Sequence, residues 1–281
     1  MRAVVVTGAS TGIGRACALR LDRSGWRVFA GVRKDADAES VAADASERLT
    51  PVILDVADAA SIAAAAQTVR DAVGADGLHG LVNNAGVSFQ GPLEHLPLDD
   101  LRRQLEVNVV GQVAVTQAVM PPLRAARGRV VMMSSIAGRT TSIPLIAPYT
   151  ASKKALEAVG EALHHELRSS GVAVVLVEPG AVATPIWTKG DATIDPLVAA
   201  LPGDGRARYG DAIARARKIG AAQDRRGIPP ERVAEVVERA LTTARPRLRY
   251  LVGADARVRA YVEPLLPQAL KDRFVRRMFG L

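Results

Sequence analysis

A tyrosine and two lysines lie close together in the segment PYTASKKALEAV, residues 148–159. A tyrosine hydroxyl can give a proton to a carbonyl oxygen or take one from an alcohol. Its ordinary pKa, near ~10, is too high for ready exchange at neutral pH, and a nearby ammonium group lowers it. A spacing of four between Tyr149 and Lys153 therefore suggests an acid–base pair, and the alternative is an ordinary surface helix.

Helix geometry distinguishes the two lysines that follow Tyr149. At about 100° per residue, Lys153 lies about 40° from Tyr149 and one turn further on, whereas Lys154 lies about 140° away. We therefore predict that Lys153 is the partner of Tyr149 and that Lys154 points toward solvent. The apolar stripe of this helix lies on the side of Tyr149, at Leu156, Val159, Leu163 and Leu167.

Strand-like and helix-like segments alternate along the chain and must position this pair. Short apolar runs of strand length begin near residues 2, 26, 51, 78, 128, 172 and 248. The early runs are apolar on both faces, which fits a parallel sheet covered by helices. The alternation predicts an α/β fold with a doubly wound parallel sheet, a Rossmann fold of about seven strands with helices on both faces.

One segment interrupts the alternation. Residues 186–228 are rich in proline, glycine and charge. We predict that they form a helical insertion that acts as a substrate lid, and the alternative is a disordered loop. Trp187, near its start, could contact a substrate or simply pack.

The rest of the chain is predicted to form one Rossmann-type domain, so that the domain spans residues 1–281. Residues 254–281 form its C-terminal helical tail, which is amphipathic and basic. The tail could pack on a partner subunit, close the pocket, or make weak contact with a membrane surface.

Composition restricts the class of protein. The 281 residues carry a net charge of +8 and a single cysteine, Cys17, which excludes a disulfide framework or a cysteine zinc site within one chain. No apolar run approaches the ~20 residues of a transmembrane segment, and no signal-peptide pattern is seen, so a cytoplasmic protein is the simplest interpretation. The basic residues are spread without a nucleic-acid motif, which favours a solvated face or a site for anionic ligands.

The first predicted strand ends in the glycine-rich turn TGASTGIGRA, with glycines at Gly8, Gly12 and Gly14. Glycine permits a tight turn and a close approach of the backbone to a pyrophosphate. The helix that follows would point its first N–H groups at the phosphates, and Thr7 and Ser10 can form hydrogen bonds within the turn. The pattern indicates a dinucleotide site, with a purely structural turn as the alternative.

The end of the second strand bears on the choice of dinucleotide. Val32 is followed by Arg33 and Lys34, where an NAD site usually carries an acidic residue for the ribose hydroxyls. A guanidinium suits a 2′-phosphate instead, so we predict NADP(H), with NAD(H) as the less preferred cofactor. These cations could also be ordinary loop residues. Asp55, after the third strand, could bond an adenine amino group or cap the next helix.

Further motifs follow in a set order. They are NNAG (83–86), Asn108 in EVNVVG, SSIAG (134–138), the Tyr149–Lys153 pair and EPGAVATP (178–185). With TGASTGIG, they make the chain resemble the compact single-domain branch of the short-chain dehydrogenase/reductases, from residue 2 to about 185. The segments VFAGVRK, SSIAG and VEPGAVATP are most similar to the retinol and 17β-hydroxysteroid dehydrogenase group.

The resemblance implies hydride transfer between a nicotinamide ring and an alcohol or carbonyl carbon. Tyr149 would act as the acid or base, and Lys153 would supply positive charge and hold the nicotinamide ribose. Ser135 would stabilise charge on the substrate oxygen. Asn108 would hold a water beside Lys153, or else would only mark a helix kink.

Ser135 is preferred to Ser134 because it begins the S-x-x-G frame that ends at Gly138. It lies fourteen residues before Tyr149, where relatives usually have thirteen. The extra residue falls in the loop RTTSIPLIAP, where it would reshape the pocket wall.

The predicted cofactor contacts lie in the glycine turn and at the ends of the strands. Pro179 and Gly180 would adjoin the nicotinamide, and Thr184 would hold its carboxamide. The full set is Gly8, Ser10, Thr11, Gly12, Ile13, Gly14, Arg33, Asp55, Val56, Asn84, Ala85, Gly86, Tyr149, Lys153, Pro179, Gly180, Val182 and Thr184. No metal is expected.

The predicted function is an NADP(H)-dependent oxidoreductase that interconverts an apolar primary or secondary alcohol and its aldehyde or ketone. The alternative is a catalytically silent NADP-sensing regulatory protein of the same fold. The resemblance also implies a homodimer or homotetramer that pairs through the helices around 98–124 and 149–170. The expected ligands are a small apolar substrate and no nucleic acid.

Overall fold

The computed structural model describes residues 1–280, and the side chains of 187–193 lie outside that description. Within this range seven strands form one sheet in the order β3-β2-β1-β4-β5-β6-β7, and every neighbouring pair is parallel. The predicted fold class is therefore confirmed. The strands are β1 Ala3–Val6, β2 Arg27–Val32, β3 Leu49–Ile53, β4 Gly80–Asn83, β5 Arg129–Met133, β6 Ala173–Pro179 and β7 Arg249–Val252.

The helices cover both faces of the sheet. They are α1 Gly12–Arg23, α2 Asp35–Ala43, α3 Ala59–Val73, α4 Leu98–Leu105, α5 Gly111–Ala118, α6 Met120–Ala125, α7 Ala147–Glu166, α8 Ile186–Ala200, α9 Gly203–Arg226, α10 Pro230–Thr242, α11 Ala254–Val262 and α12 Gln268–Phe279. The strand order reverses between β1 and β4, and in such sheets this is where the carboxyl ends of the strands leave room for a ligand.

Alternation along β1 divides the core into two layers. Val4 and Val6 belong to a buried cluster with Leu21 of α1 and Val237 of α10. Val5 faces the opposite side, in a cluster with residues of α3, α5 and α7. Successive strand residues point to opposite faces, so a strand that is apolar throughout must be covered on both sides.

Cys17 lies in the layer that joins α1 to the sheet and is fully buried. Burial raises the pKa of its thiol to about 12, so the group stays protonated and behaves as a small apolar side chain.

The structure corrects three predicted elements. The single helix predicted from Leu98 to Arg124 is interrupted by a π-helical segment, Glu106–Val110, and ends before a further short helix that has prolines in its first turn. Proline cannot donate the hydrogen bond that would continue a helix, but it is tolerated in the first turn. Strand β3 begins at Leu49, two residues before the apolar run that starts near residue 51, and ends at Ile53. The helical pattern of residues 37–48 predicts a longer α2, which in the structure ends at Ala43.

Helices α8 and α9 occupy most of the predicted insertion, residues 186–226. Residues from both helices pack with Leu145 and with Phe279 of α12 in a separate apolar cluster. The side chain of Trp187, which is expected to contact a substrate or simply to pack, lies outside the described residues. In the part of the chain that the structure describes, no helix is long and apolar enough to cross a membrane.

Candidate active site

A cavity of about 410 Å³ lies at the carboxyl ends of the strands. Ser135 lines it, together with every predicted cofactor contact except Gly14. These contacts are Gly8, Ser10, Thr11, Gly12, Ile13, Arg33, Asp55, Val56, Asn84, Ala85, Gly86, Tyr149, Lys153, Pro179, Gly180, Val182 and Thr184. Neither Gly14 nor Asn108 lines the cavity. The structure therefore gathers into one space nearly all the residues that the sequence analysis selects from distant segments.

Two glycines of the first turn need backbone conformations that other residues rarely adopt. Gly8 has φ +65° and Gly12 has φ +57°, and α1 begins at Gly12. Gly14 is needed for a different reason, because a Cβ there would lie 2.1 Å from the carbonyl oxygen of Gly8. Gly14 therefore has a structural role, because the absence of a Cβ lets the helix pack against its own turn, and its contact with the cofactor stays a prediction.

The NNAG segment holds the glycine turn in place. The side-chain amide of Asn84 donates to the carbonyl oxygens of Thr7 (3.0 Å) and Gly8 (3.2 Å). The hydroxyl oxygen of Thr7 accepts from the backbone N–H groups of Asn84 and Ala85, each at 2.9 Å. Thr7 therefore links β1 to β4, whereas the sequence analysis places its hydrogen bond within the turn.

The end of β2 presents an unpaired cation to the cavity. Arg33 is exposed, lines the cavity and forms no ion pair with any described residue. Asp55 lies across from it after β3, and its Oδ1 accepts from the backbone N–H of Ala57 at 3.0 Å. Asp58 caps α3 instead, accepting from the N–H groups of Ala60 and Ser61. The helix-cap interpretation of Asp55 is therefore wrong, and its carboxylate faces the cavity.

Ser135 and Tyr149 meet at the other end of the cavity. Ser135 follows β5, Tyr149 lies in the first turn of α7, and their hydroxyl groups lie near one another at the cavity wall. Burial raises the pKa of the Tyr149 phenol, and the contact with Ser135 acts in the opposite direction. The neighbouring Ser134 hydroxyl lies near the Glu157 carboxylate instead and has no hydrogen-bond partner among the described residues.

Lys153 points into the same end of the cavity. Its Nζ donates to the carbonyl oxygen of Met133 at 2.7 Å and lies 5.6 Å from the centre of the Tyr149 ring. The side chain is buried, which lowers the pKa of its ammonium group to about 8, while the nearby Glu157 carboxylate opposes this lowering. Lys154 is exposed, as predicted from its angle on the helix.

Asn108 is fully buried in the π-helical segment. Its Oδ1 accepts from the N–H of Val87 (2.9 Å), and its Nδ2 donates to the Val87 carbonyl and to the Ser152 hydroxyl, each at 3.0 Å. The Ser152 hydroxyl donates in turn to the Tyr149 carbonyl. Both amide donors are therefore used, and the side chain connects the segment after β4 to the turn that carries Tyr149. Segments of this kind are frequent at functional sites.

The loop before Tyr149, where the sequence predicts an extra residue, has a strained backbone at one position. Leu145 has φ +71°, a conformation that costs energy for a residue with a side chain. Its carbonyl accepts from the N–H of Gly91 at 2.8 Å, and its side chain is buried against α8, α9 and α12. Ile143, Pro144 and Ile146 around it line the cavity. The lengthened loop thus ties the pocket wall to the helices of the insertion.

Sequence reasoning missed a buried charge cluster behind Lys153. Glu157 lies one turn beyond Lys153, and Arg249 of β7 contacts both its carboxylate (3.3 Å) and that of Glu178 (3.0 Å). Arg139 pairs with Glu178 from the other side at 3.3 Å. Burial and the neighbouring Glu157 raise the pKa of Glu178 to about 7. The spacing of four between Lys153 and Glu157 is the one signal in the sequence that could have indicated this link.

Replacing Glu157 should move the pH profile. Glu157→Gln removes a negative charge that favours the Lys153 ammonium, so the already lowered pKa of Lys153 falls further. The ammonium is then lost at lower pH. We expect the alkaline decline of kcat/KM for carbonyl reduction to shift toward lower pH, measured from the pH dependence of initial rates.

Glu161→Gln is the matched control, because Glu161 lies on the same helix and contacts the same Arg249 but is exposed. Its profile should match that of the unmodified protein. An unchanged alkaline limb in Glu157→Gln would contradict the electrostatic link to Lys153.

Comparisons with known proteins agree with this geometry. The family model described as short chain dehydrogenase matches residues 2–195. An NADPH-dependent 3-dehydrocapnine reductase from Ornithobacterium rhinotracheale is 36% identical over 278 residues, which cover 97% of this chain and 95% of that protein. Retinol dehydrogenase 5 from Mus musculus is 37% identical over 280 residues, 96% of this chain and 86% of that protein.

Solved structures show the same architecture. A short chain dehydrogenase/reductase from Burkholderia phymatum in complex with NAD superposes with a TM-score of 0.77 at 26% identity, over 94% of each chain. The fold and the site define an NAD(P)-dependent oxidoreductase with a Rossmann fold. The chain belongs to the short-chain dehydrogenase/reductase family, which confirms the resemblance drawn from its motifs.

Proposed function

We propose that the protein is an NADP(H)-dependent oxidoreductase that interconverts an apolar primary or secondary alcohol and its aldehyde or ketone, with Tyr149 as the acid or base. One observation carries the proposal: the hydroxyls of Tyr149 and Ser135 and the ammonium of Lys153 converge at one end of a cavity that begins at the glycine turn. A catalytically silent NADP sensor would need the turn but not this convergence.

Tyr149, Ser135 and Lys153 would each have a separate role in the reaction. When bound, NADPH supplies the hydride for the carbonyl carbon. Tyr149 donates its proton to the carbonyl oxygen as negative charge develops there, and Ser135 donates a hydrogen bond to the same oxygen. The Lys153 ammonium stabilises the phenolate that is left. In the oxidation direction the Tyr149 phenolate would take the proton of the alcohol hydroxyl, and the carbon that bears this hydroxyl would give its hydride to NADP⁺.

Asn108 would hold Tyr149 in position and would not itself contact the substrate. Its amide holds Ser152, which holds the first turn of α7 through the Tyr149 carbonyl. Both N–H groups of the Asn108 side-chain amide are already used in hydrogen bonds. A water beside Lys153 would therefore donate a hydrogen bond to an oxygen of Asn108.

The substrate end of the cavity is mainly apolar. Its walls come from the loop before α7, from the segment after β4 and from the helices of residues 186–226. They include Val87, Phe89, Ile143, Ile146, Ile186, Ala216, Ile219 and Phe279, with Ser88, Gln90, Thr141, Gln223 and Arg259 as polar groups. This lining supports an apolar substrate and the interpretation of α8 and α9 as its lid. The fold thus supports one Rossmann-type domain that carries this lid and the helical tail.

The cofactor preference rests on Arg33. The position after β2 carries a guanidinium that forms no ion pair with any described residue, and no acidic residue follows the strand directly, which favours a 2′-phosphate over ribose hydroxyls. The NADPH-dependent relative is consistent with this choice, whereas the solved relative with NAD shows that the family also uses the other cofactor. Homo-oligomeric assembly and a cytoplasmic location stay predictions.

Arg33→Ala should weaken NADPH binding far more than NADH binding. Loss of one or two charge-assisted hydrogen bonds predicts a rise of roughly 10- to 100-fold in the Kd for NADPH. Fluorescence titration of each cofactor measures the effect, with Lys34→Ala as the matched control for general loss of positive charge. Equal weakening of NADPH and NADH in Arg33→Ala would mean that this residue does not read the phosphate.

The function itself is tested with a panel of steroids, retinoids, acyl ketones and aromatic alcohols, followed by NADPH absorbance. We expect consumption or formation of NADPH with at least one apolar class. Binding of NADPH without turnover across the panel would favour the silent sensor.

A further inference from the structure

The C-terminal tail exposes an unusual concentration of apolar side chains. Of the twelve large apolar side chains that are exposed in the described part of the chain, seven lie between residues 258 and 274. They are Val258, Tyr261, Val262, Leu265, Leu266, Leu270 and Phe274, and we call them the tail apolar set. Scattered exposed apolar residues are normal, but such a local concentration usually marks an interaction site.

In helix α11 these residues lie opposite the buried face. Val258, Tyr261 and Val262 follow the i, i+3, i+4 spacing of one helix face and are 59%, 67% and 48% exposed. Ala256 and Ala260 are buried against Ile136, which fixes the inner face of the helix. The apolar face of α11 is therefore turned away from the core.

Helix α12 is likewise divided into two faces. Val275, Met278 and Phe279 pack into the cluster with α8 and α9. Leu270 and Phe274, at i and i+4, are 51% and 64% exposed. The inner face thus closes the apolar cluster, while the outer face keeps large apolar groups in contact with solvent.

Basic side chains surround the tail apolar set. No described residue forms an ion pair with any of Arg257, Lys271, Arg273, Arg276 or Arg277. Residues 254–281 carry six basic side chains against three acidic ones, which are Asp255, Glu263 and Asp272. The uncompensated charge of the tail is therefore positive.

We propose that this tail binds the surface of an anionic lipid bilayer. The apolar side chains would enter the boundary between head groups and acyl chains, and the free arginines would contact lipid phosphates. A second copy of the chain fits less well, because a two-fold contact would place the same cations opposite one another.

The position of the tail connects lipid binding to the catalytic cavity. Arg259 of α11 and Phe279 of α12 both line the catalytic cavity, so the lipid-binding helices form part of its wall. An apolar substrate concentrates in a bilayer and could reach the cavity from there. This delivery step rests on the proposed function, whereas lipid binding does not.

Co-sedimentation of the full chain with vesicles tests the proposal. We expect binding to vesicles of phosphatidylcholine with phosphatidylglycerol, weaker binding to phosphatidylcholine alone, and release by added salt. Leu265→Asp combined with Phe274→Asp should weaken binding by about 10-fold or more, since two apolar anchors are lost. Leu93→Asp combined with Leu98→Asp, two exposed apolar residues outside the tail, should bind as the unmodified chain does.

NADPH titration of each variant shows that it is folded, and turnover of a water-dispersed substrate should be unchanged by the tail variant. Failure to bind anionic vesicles would overturn the proposal. So would equal binding of the tail variant and the control variant, or self-association of the unmodified chain that the tail variant abolishes without any lipid binding. These readouts need no turnover, so they are independent of the proposed reaction.

Discussion

Tyr149→Phe should abolish turnover and leave NADPH binding intact. The variant keeps the aromatic ring beside Lys153 and removes only the hydroxyl that Ser135 contacts. Without the phenol the developing alkoxide loses the proton that Tyr149 donates, and general acid–base catalysis of this kind contributes about 10²- to 10⁴-fold. We expect kcat/KM to fall within or beyond that range, measured by NADPH absorbance, with an unchanged Kd for NADPH by fluorescence titration.

Tyr250→Phe provides the control, since Tyr250 lies on β7 and its hydroxyl accepts from the N–H of Arg247 on the protein surface. Its turnover should equal that of the unmodified protein. Undiminished turnover in Tyr149→Phe would contradict the role of Tyr149 as the acid or base.

Lys153→Met should cause the second large loss, about 10²- to 10³-fold in kcat/KM. Methionine is also unbranched and fits the buried site, but it carries no charge to stabilise the Tyr149 phenolate. The pKa of Tyr149, already raised by burial, should rise further, so the acidic limb of alcohol oxidation should move to higher pH. Steady-state rates across a pH series, together with NADPH titration, measure both effects.

Lys154→Met separates this role from general loss of positive charge. Lys154 is the next residue but is exposed, so its variant should keep both the rate and the pH profile. If the two lysine variants lost the same activity, or if the acidic limb stayed in place in Lys153→Met, the assignment of the charge to Lys153 would be wrong.

Much of the fold follows from local pattern. Strands that are apolar on both faces and alternate with helices already require a covered parallel sheet, and the glycine turn requires its two left-handed residues. The angle between Tyr149 and Lys153 is likewise a property of one helix, so it could be predicted without tertiary structure. These features depend on few residues at short separation.

The features that the sequence did not predict depend on contacts between segments that are far apart in the chain. Gly14 is in the motif but its constraint comes from the carbonyl of Gly8, which the spacing alone does not reveal. The π-helical segment around Asn108 depends on contacts with Val87 and Ser152 from two other elements. Arg249 reaches Glu157 across 92 positions of sequence, because β7 pairs with β6 beside α7.

The loop before Tyr149 shows the same limit. The spacing between Ser135 and Tyr149 indicates an extra residue in this loop. It does not indicate that Leu145 adopts a left-handed conformation and packs against α8, α9 and α12. Such a conformation persists only where the surroundings stabilise it, here through the buried side chain and the hydrogen bond from Gly91. This loop and residues 186–226 therefore form the pocket wall together.

Transfer of isotope from cofactor to product tests the central claim most directly. NADPH that carries deuterium at its hydride position is incubated with the protein and an apolar ketone that is consumed in the panel, and the product alcohol is analysed by mass spectrometry. We predict one deuterium on the carbinol carbon for each NADPH oxidised, and none with Tyr149→Phe. Oxidation of NADPH without deuterium in the alcohol, or equal labelling by the Tyr149→Phe variant, would contradict hydride transfer assisted by Tyr149.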